Sequence, residues 1–204
     1  MNFPSKLIEA AVNEFEKLPG IGKKTALRLV LHLLKQNEEY TRSFSESISR
    51  MRNEIKFCKQ CFNVSDGDLC NICNNNRRKQ NLICVVETIR EVIAFESTEQ
   101  YSGTYHVLGG VISPIDGMGP ENLNIDQLLK RAERGEVTEI IMALNPTVEG
   151  DTTVYYLSRK LQPFNIKITT LARGISHGSE LEYTDDITLA RSLATRTVYE
   201  NILT

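Results

Sequence analysis

Two pairs of cysteines constrain the fold of this chain more than any other feature of its sequence. Each pair has the spacing C-x2-C, and eight residues separate the pairs, whose members are Cys58, Cys61, Cys70 and Cys73. Four thiolates at these spacings form the tetrahedral ligand set of a closed structural zinc site. A closed site has no open position for water, so the pattern predicts one structural Zn2+ per chain and no catalysis at the metal.

The residues between these cysteines are mostly small or polar, and they offer little apolar surface from which to build a core. We therefore expect metal binding to stabilise the fold of this segment. The alternative is two unrelated pairs of free thiols. A fifth cysteine, Cys84, lies within the apolar run LICVVE, which favours a small buried side chain in a strand over a fifth ligand or a nucleophile.

The composition is that of an ordinary globular protein. Of 204 residues, 41% are hydrophobic and 25% are charged, which argues against disorder and against a fibrous repeat. The length suits one core with a smaller module, or two modest domains. No apolar run approaches the ~20 residues of a membrane span, and the N-terminal residues lack the cationic and apolar parts of a signal peptide. A cytoplasmic location is therefore expected, where thiols stay reduced and bind metal.

The net charge of −2 conceals an uneven distribution of charge along the chain. Residues 1–79 carry 14 Lys or Arg and 9 Asp or Glu, whereas residues 80–204 carry 10 and 17, so the two parts have net charges of +5 and −7. A basic block favours a polyanionic partner, and an acidic block favours metal ions or a basic protein. The alternative is chance variation of the surface charge.

Apolar residues at helical spacing predict two helices near the N-terminus, one that stops at the Pro-Gly pair at 19–20 and one over residues 24–35. The segment between them, residues 18–28, reads LPGIGKKTALR, which is the helix-hairpin-helix pattern. A third helix is predicted over residues 42–55, where its apolar face completes a small helical core. That face consists of Phe44, Ile48, Met51 and Ile55.

The hairpin predicts a binding site for phosphate. Gly20 and Gly22 let the backbone turn tightly and leave amide groups exposed beside the N-terminus of the second helix. Lys23, Lys24 and Arg28 add cationic side chains, and the last two are four residues apart, on one helical face. Such contacts neutralise backbone phosphate without reading bases, so we expect DNA binding that is independent of sequence and weakened by salt. The alternative is a plain helix-turn-helix corner with solvated lysines.

From Leu82 onward, short apolar runs alternate with helical stretches in the order β-α-β-α-β-α-β. Near-continuous apolar strands separated by amphipathic helices predict a parallel sheet that is covered on both faces. A final helix is predicted over residues 187–202. His106, on one of the apolar runs, is interpreted as a structural residue without a chemical role.

Acidic residues lie where two of the predicted strands end, which is where parallel α/β folds bind ligands. Glu87 closes the first apolar run, and Glu149 and Asp151 follow the run EIIMAL. Together they are candidate oxygen ligands for Mg2+. This layout resembles the Toprim domain of topoisomerases, primases and some nucleases, although the second motif reads E-x-D here and no nucleophile accompanies it. The alternative is a set of charged loop residues without a catalytic role.

Taken in order, the hairpin, the cysteine pattern, VVE, HVLGG, NPTVEGD and the closing LARGISHGSELEYTDDITLARS resemble the bacterial recombination mediator family RecR over nearly the whole chain. The resemblance implies an α+β protein of several parts. These parts are a helix-hairpin-helix region at 1–55, a four-cysteine zinc finger at 56–79, an α/β Toprim domain with a parallel sheet at 80–173, and a Walker B-like segment with a terminal helix at 174–204.

The resemblance also implies a non-enzymatic DNA-repair protein that assembles into a ring, commonly a tetramer, and acts with RecO and RecF to load recombinase at single-stranded gaps. Lys24 and Arg28 match the hairpin residues that face DNA. Glu149 and Asp151 match the Toprim acidic pair, of which Glu149 would be the main contact for RecO. The competing interpretation is a Mg2+-dependent nuclease or topoisomerase-like enzyme that uses Glu87 together with that pair.

Overall fold

The computed structural model describes residues 3–198, which divide into two compact units with the boundary between Ile55 and Lys56. The first unit contains three helices, and the second contains a two-stranded sheet, a four-stranded sheet and the remaining helices. Among the described residues, no helix combines the length and the apolar character that crossing a membrane requires. Each unit has its own apolar core and is described separately.

The helices of the first unit are α1 (Lys6–Glu16), α2 (Lys23–Lys35) and α3 (Glu38–Glu54). Side-chain caps set the starts of α1 and α3, because Ser5 Oγ accepts from the Leu7 amide at 3.2 Å and Asn37 Oδ1 accepts from the Tyr40 amide at 2.8 Å. Helices α1 and α2 pack on each other. Their core consists of Val12, Ala26 and Val30, with Phe3, Ile8, Ala11, Phe15, Ile21 and Leu27 packed around it.

The third helix differs from its prediction in two ways. It begins at Glu38, four residues before the predicted start, because Asn37 provides the N-cap. The prediction that it completes the helical core is wrong, since no residue of α3 is buried. Each residue of the predicted apolar face is instead 37–57% exposed, and these residues are Phe44, Ile48, Met51 and Ile55. Helical periodicity shows that one face is apolar, but it does not show which partner covers that face.

The second unit begins with a small antiparallel pair, β1 (Lys56–Phe57) with β2 (Val64–Ser65). The main sheet follows, and all of its strand pairs are parallel, in the order β4-β3-β5-β6. Its strands are β3 (Lys79–Val86), β4 (Gly103–Val107), β5 (Glu139–Met142) and β6 (Lys167–Thr170). The connecting helices are α4 (Ile89–Glu96), α5 (Ile125–Glu133) and α6 (Val148–Leu161). The predicted alternation and the predicted parallel sheet are confirmed.

Side chains of β3 alternate between the two faces of this sheet, and both faces are covered. Ile83 and Val85 belong to a core with Leu128 of α5 and Leu157 of α6. Cys84 belongs to a second core on the opposite face, which also contains Val86, Val92, Tyr105, Val107 and Ala143. Burial raises the pKa of the Cys84 thiol to about 12, so this cysteine is a buried apolar side chain, as predicted.

His106 is also fully buried, in the middle of β4. Burial lowers its pKa to about 4, so the imidazole is neutral at physiological pH. Its Nε2 lies 2.7 Å from the carbonyl oxygen of Asn124, to which a neutral ring with the proton on Nε2 donates. These contacts fit the structural role that the sequence indicates.

The last helix within residues 3–198 is α7 (Asp186–Ala194), whose N-terminus is capped by Asp185 Oδ1, an acceptor from the Thr188 amide at 2.9 Å. The final helix, which was expected over residues 187–202, ends earlier than predicted, because residues 195–198 are not helical. The end of that prediction, residues 199–202, lies outside the described residues. Four single turns of 3-10 helix complete the second unit, at Pro114–Asp116, Pro120–Asn122, Gln162–Phe164 and Leu181–Tyr183.

Candidate metal centre and nucleic-acid interface

The four predicted zinc ligands lie together in one buried cluster. Their Sγ atoms are all within 4.8 Å of one another, and the sulfurs of Cys61 and Cys70 are 3.6 Å apart. Tetrahedral coordination with Zn–S bonds of ~2.3 Å requires sulfurs about 3.8 Å apart. None of the four forms a disulfide, and none is more than 8% exposed. The cluster therefore has the donor set, the spacing and the closure of a structural zinc site.

Backbone hydrogen bonds turn the chain around each cysteine pair. The amide of Cys58 donates to the carbonyl of Asn63 at 2.8 Å, and the amide of Phe62 donates to the carbonyl of Cys58 at 2.9 Å. In the second pair, the amide of Cys73 donates to Cys70 Sγ at 3.5 Å. Such turns fold each pair back on itself and direct both of its sulfurs to one point.

The hydrogen bond between Cys61 and Cys70 makes these two thiols unequal. The contact with Cys61 lowers the pKa of Cys70, whose thiolate is the acceptor, and the same contact raises the pKa of Cys61. Zinc takes thiolates as ligands, so metal binding displaces the remaining protons, and acid favours release of the metal.

The segment that carries the four cysteines, residues 58–73, is called the zinc segment below, and hydrogen bonds attach it to the edge of the main sheet. Strand β4 is an edge strand, and the outward amide of Val107 donates to the carbonyl of Cys61 at 2.8 Å. Farther along, Gln127 Nε2 of α5 donates to the carbonyl of Lys59 at 3.0 Å. The zinc segment thus covers the part of β4 that would otherwise be open.

Apolar contacts reinforce this attachment. Phe62 and Ile72 pack against the core that contains Tyr105 and Val107, and the Phe62 ring meets His106 edge-on, with centroids 6.0 Å apart. Phe62 has a φ of 60°, a left-handed conformation that costs a residue other than glycine ~1–2 kcal/mol. Packing of its ring on the sheet offsets that cost. The sequence pattern of the cysteines does not reveal this role of Phe62.

The helix-hairpin-helix turn has the geometry that its glycines predict. The amide of Ile21 donates to the carbonyl of Leu18 at 3.0 Å, and Gly20 between them has a φ of 78°. Pro19 followed by Gly20 is the sequence preferred in a type II turn. Gly22 is then the N-cap of α2 without a side-chain cap. In the described chain, the amides of Lys23, Lys24 and Thr25 have no hydrogen-bond partner.

The cations beside this turn are exposed, and no salt bridge of residues 3–198 includes any of them. Lys24 and Arg28 line the same shallow depression on α2, so they share a face as predicted. Lys23 points elsewhere, since its Nζ lies 5.9 Å from the centroid of the Phe3 ring. One and two turns farther along α2, His32 and Lys35 line the same depression.

The predicted acidic residues lie near the carboxyl ends of the strands, but two of them already have partners. Glu87 Oε1 accepts from the amide of Asn145 at 2.7 Å. Asp151 accepts from both Nη atoms of Arg173, at 2.5 and 3.1 Å, and this contact lowers the pKa of Asp151. Glu149 has neither a side-chain hydrogen bond nor a salt bridge with any residue the structure describes.

Glu149 and Asp151 belong to the first turn of α6, which begins at Val148. Gly150 between them packs so closely that an added Cβ would lie 2.0 Å from the carbonyl oxygen of Asn145. The three carboxylates are not gathered as a ligand set. Within residues 3–198, the cysteine cluster is the one group of three or more His, Cys, Asp or Glu side chains whose ligand atoms all lie within 4.8 Å of one another.

Comparison with known proteins gives four family matches in chain order. Residues 8–52 match the family described as RecR, helix-hairpin-helix, and residues 55–75 match the RecR zinc finger domain with four cysteines. Residues 81–172 match the Toprim domain, and residues 174–197 match RecR, C-terminal.

Three curated relatives, each named Recombination protein RecR, are similar over almost their full length. The relative from Phocaeicola vulgatus is 54% identical, that from Amoebophilus asiaticus 55% and that from Flavobacterium johnsoniae 56%. The alignments cover 97%, 98% and 98% of this chain and 96%, 100% and 97% of the relatives. The chain belongs to the RecR family. The expected order of helix-hairpin-helix, four-cysteine zinc finger and Toprim parts in this RecR chain is confirmed.

The hairpin geometry of this RecR chain is tested by substituting Gly20. Gly20→Ala places a Cβ at a φ of 78°, which costs ~1–2 kcal/mol, although no atom lies within 4 Å of it. We expect the free energy of unfolding to fall by about that amount in urea titrations followed by circular dichroism. The matched variant Gly20→Asn loses less, since asparagine enters the left-handed region more readily. Equal stability of the two variants would contradict the assigned turn.

Proposed function

We propose that this RecR chain acts in recombinational DNA repair as a cytoplasmic, non-enzymatic DNA clamp. In this proposal it works with RecO and RecF to load recombinase at single-stranded gaps. The observation that carries the proposal is the hairpin. Unpartnered amides at the start of α2 lie beside Lys24 and Arg28, whose charges no described carboxylate neutralises.

Each of these features favours the binding of phosphate, the anion that recurs along a nucleic-acid backbone. Helix N-termini attract phosphate through free amides and the helix dipole. Lys24 and Arg28 are separated by four residues of α2, or about 6 Å along the helix axis, so both cations can act on one strand. Contacts to phosphate fix position without reading sequence. The clamp is therefore expected to bind DNA of any sequence, with an affinity that falls as salt rises.

Within this proposal, residues 1–55 bind DNA, 56–79 form the zinc finger, 80–173 form the Toprim domain, and 174–204 form a Walker B-like segment with a terminal helix. We propose that four chains close into a ring. A closed ring requires each chain to use two different self-contacts. The exposed apolar face of α3 and the exposed Leu193 of α7 are surfaces of the type that self-association covers.

The proposal that the protein is not an enzyme rests on the partners that its acidic residues already have. Glu87 accepts from a backbone amide and Asp151 is paired with Arg173, so both carboxylates are engaged within the chain. Cys84, the one cysteine outside the zinc cluster, is a buried thiol whose raised pKa disfavours the nucleophilic thiolate. We therefore assign Mg2+ no catalytic role.

Glu149 is proposed as the contact for RecO. Its carboxylate, at the start of α6, is the member of the acidic group without a described partner, and residues 80–204 carry a net charge of −7. An acidic surface with one unpaired carboxylate suits a basic protein partner.

The DNA-binding assignment predicts a loss that is specific to the hairpin. Relative to the unmodified chain, the double variant Lys24→Ala with Arg28→Ala is expected to bind labelled oligonucleotides on the order of 10–100-fold more weakly at 50 mM salt. The slope of log affinity against log salt should fall by about 1.4–1.8, since two phosphate contacts are lost. Fluorescence anisotropy with single-stranded, duplex and gapped DNA measures both quantities.

The matched control is Arg42→Ala with Arg52→Ala, which removes two exposed cations from α3 of the same unit. Equal affinities of the two double variants would refute the hairpin assignment.

The non-enzymatic assignment predicts that DNA incubated with the protein and Mg2+ stays intact. Cleavage that Glu87→Gln abolishes would establish the enzymatic alternative instead.

The partner assignment predicts that Glu149→Ala keeps DNA affinity and loses association with RecO, measured by size-exclusion chromatography of the mixed proteins. The expected cause is the loss of one unpaired carboxylate from the acidic surface. Glu136→Ala is the matched control, because Glu136 is an exposed glutamate of the same unit without a described salt bridge. Retained association of the Glu149 variant, or an equal loss in the control, would contradict the assignment.

A further inference from the structure

Arg131 is a buried cation without a carboxylate partner among the described residues. It lies on the inner face of α5 beside Leu128 and Ala132 and is only 4% exposed. Its Nη1 donates to the carbonyl of Tyr105 at 2.7 Å, and its Nη2 donates to Thr104 Oγ1 at 2.8 Å. Both acceptors are neutral, and no salt bridge of the described chain includes Arg131. A buried charge of this kind requires compensation from elsewhere.

These contacts bring Arg131 to the same edge of β4 as the zinc segment. The carbonyl of Tyr105 and the amide of Val107 both point away from β3, toward the free edge of the sheet, and Val107 donates to Cys61. Residues two apart on a strand are separated by about 7 Å. The guanidinium of Arg131 and the backbone of the first cysteine pair are therefore neighbours along one edge.

The electrostatics of Arg131 agree with this placement. Burial lowers the pKa of its guanidinium, and the neighbouring residues Cys73, Cys61 and Cys58 act in the opposite direction. Two other cations of this region have carboxylate partners. Lys59 pairs with Asp68 at 2.7 Å, and Arg78 pairs with Glu96.

We propose that Arg131 is the counter-cation of the zinc-loaded cysteine cluster. Four thiolates around one Zn2+ form a dianion, which is costly to bury next to an apolar sheet unless a cation lies nearby. Arg131 supplies that cation and simultaneously holds the outward carbonyl of β4. Its role is to position and neutralise the site, since the four sulfurs already complete the coordination of the metal. Outer contacts of this type commonly change metal affinity by ~10–100-fold.

Two variants separate the charge of Arg131 from its hydrogen bonds. Arg131→Lys keeps the positive charge, whereas Arg131→Gln keeps amide donors without a charge. Arg134→Gln is the control, because Arg134 is the exposed C-cap of the same helix. Zinc affinity of the full chain is measured by competition with a chromophoric chelator, and the thiolate-to-metal charge-transfer band of the Co2+-substituted protein reports on the sulfurs directly.

A counter-cation predicts that Arg131→Gln binds zinc ~10–100-fold more weakly and shifts the Co2+ band, whereas the Lys variant stays close to the unmodified chain. Arg134→Gln should leave both readouts unchanged. Equal affinities of the Gln and Lys variants would overturn the proposal. An unfolded Lys variant beside a folded Gln variant would do the same, because that result assigns Arg131 a role in hydrogen bonding alone.

Discussion

The second unit of this protein depends on how the open edge of strand β4 is closed. An edge strand presents unpaired amides and carbonyls, which natural sheets must cover or otherwise protect. Here three groups form hydrogen bonds with the backbone at this edge, one after another along β4. Arg78 donates to the carbonyl of Tyr101 at 2.9 Å just before the strand, Arg131 holds the carbonyl of Tyr105, and the zinc segment accepts from Val107. The zinc site therefore has a structural role in the sheet as well as in its own loop.

This arrangement explains why a segment poor in apolar residues stands directly before a well-packed α/β domain. We expect the loop to need metal to fold, since two short strands and a few backbone turns supply its regular structure. Once folded, it presents Phe62 and Ile72 to a core that the sheet already provides. That core includes residues of β4 and of its parallel neighbour β3, whose carboxyl end carries Glu87.

Patterns that are local in sequence predicted most of the fold and the metal centre. The cysteine spacing predicted the four side chains that cluster, the Pro-Gly pair predicted the hairpin turn, and the apolar runs predicted the strands. Features that depend on distant contacts were missed or wrong. Periodicity assigns the apolar face of α3 to a core and extends α7 beyond Ala194, and the structure contradicts both predictions. Neither error was avoidable from periodicity, which does not identify the neighbouring surface.

Several residues of the candidate sites also became visible only in three dimensions. Arg173 is 22 residues from Asp151, and its pairing with that carboxylate follows from the order of the strands. The sequence does contain a signal for Arg131, because this residue interrupts the apolar face of α5 between Leu128 and Ala132. A cation at such a position signals a buried acceptor or anion. The anion itself lies more than fifty residues away in the chain.

Hydrogen exchange at the amide of Val107 tests the central claim most directly, when zinc-loaded protein is compared with protein stripped by a chelator. If the metal holds the first cysteine pair against β4, this amide is protected with zinc and exchanges rapidly without it, because Cys61 no longer accepts its hydrogen bond. The amide of Ala143, which donates to Val85 in the centre of the sheet at 2.9 Å, should stay protected in both states. Protection of Val107 that is unchanged after complete removal of zinc would contradict the account.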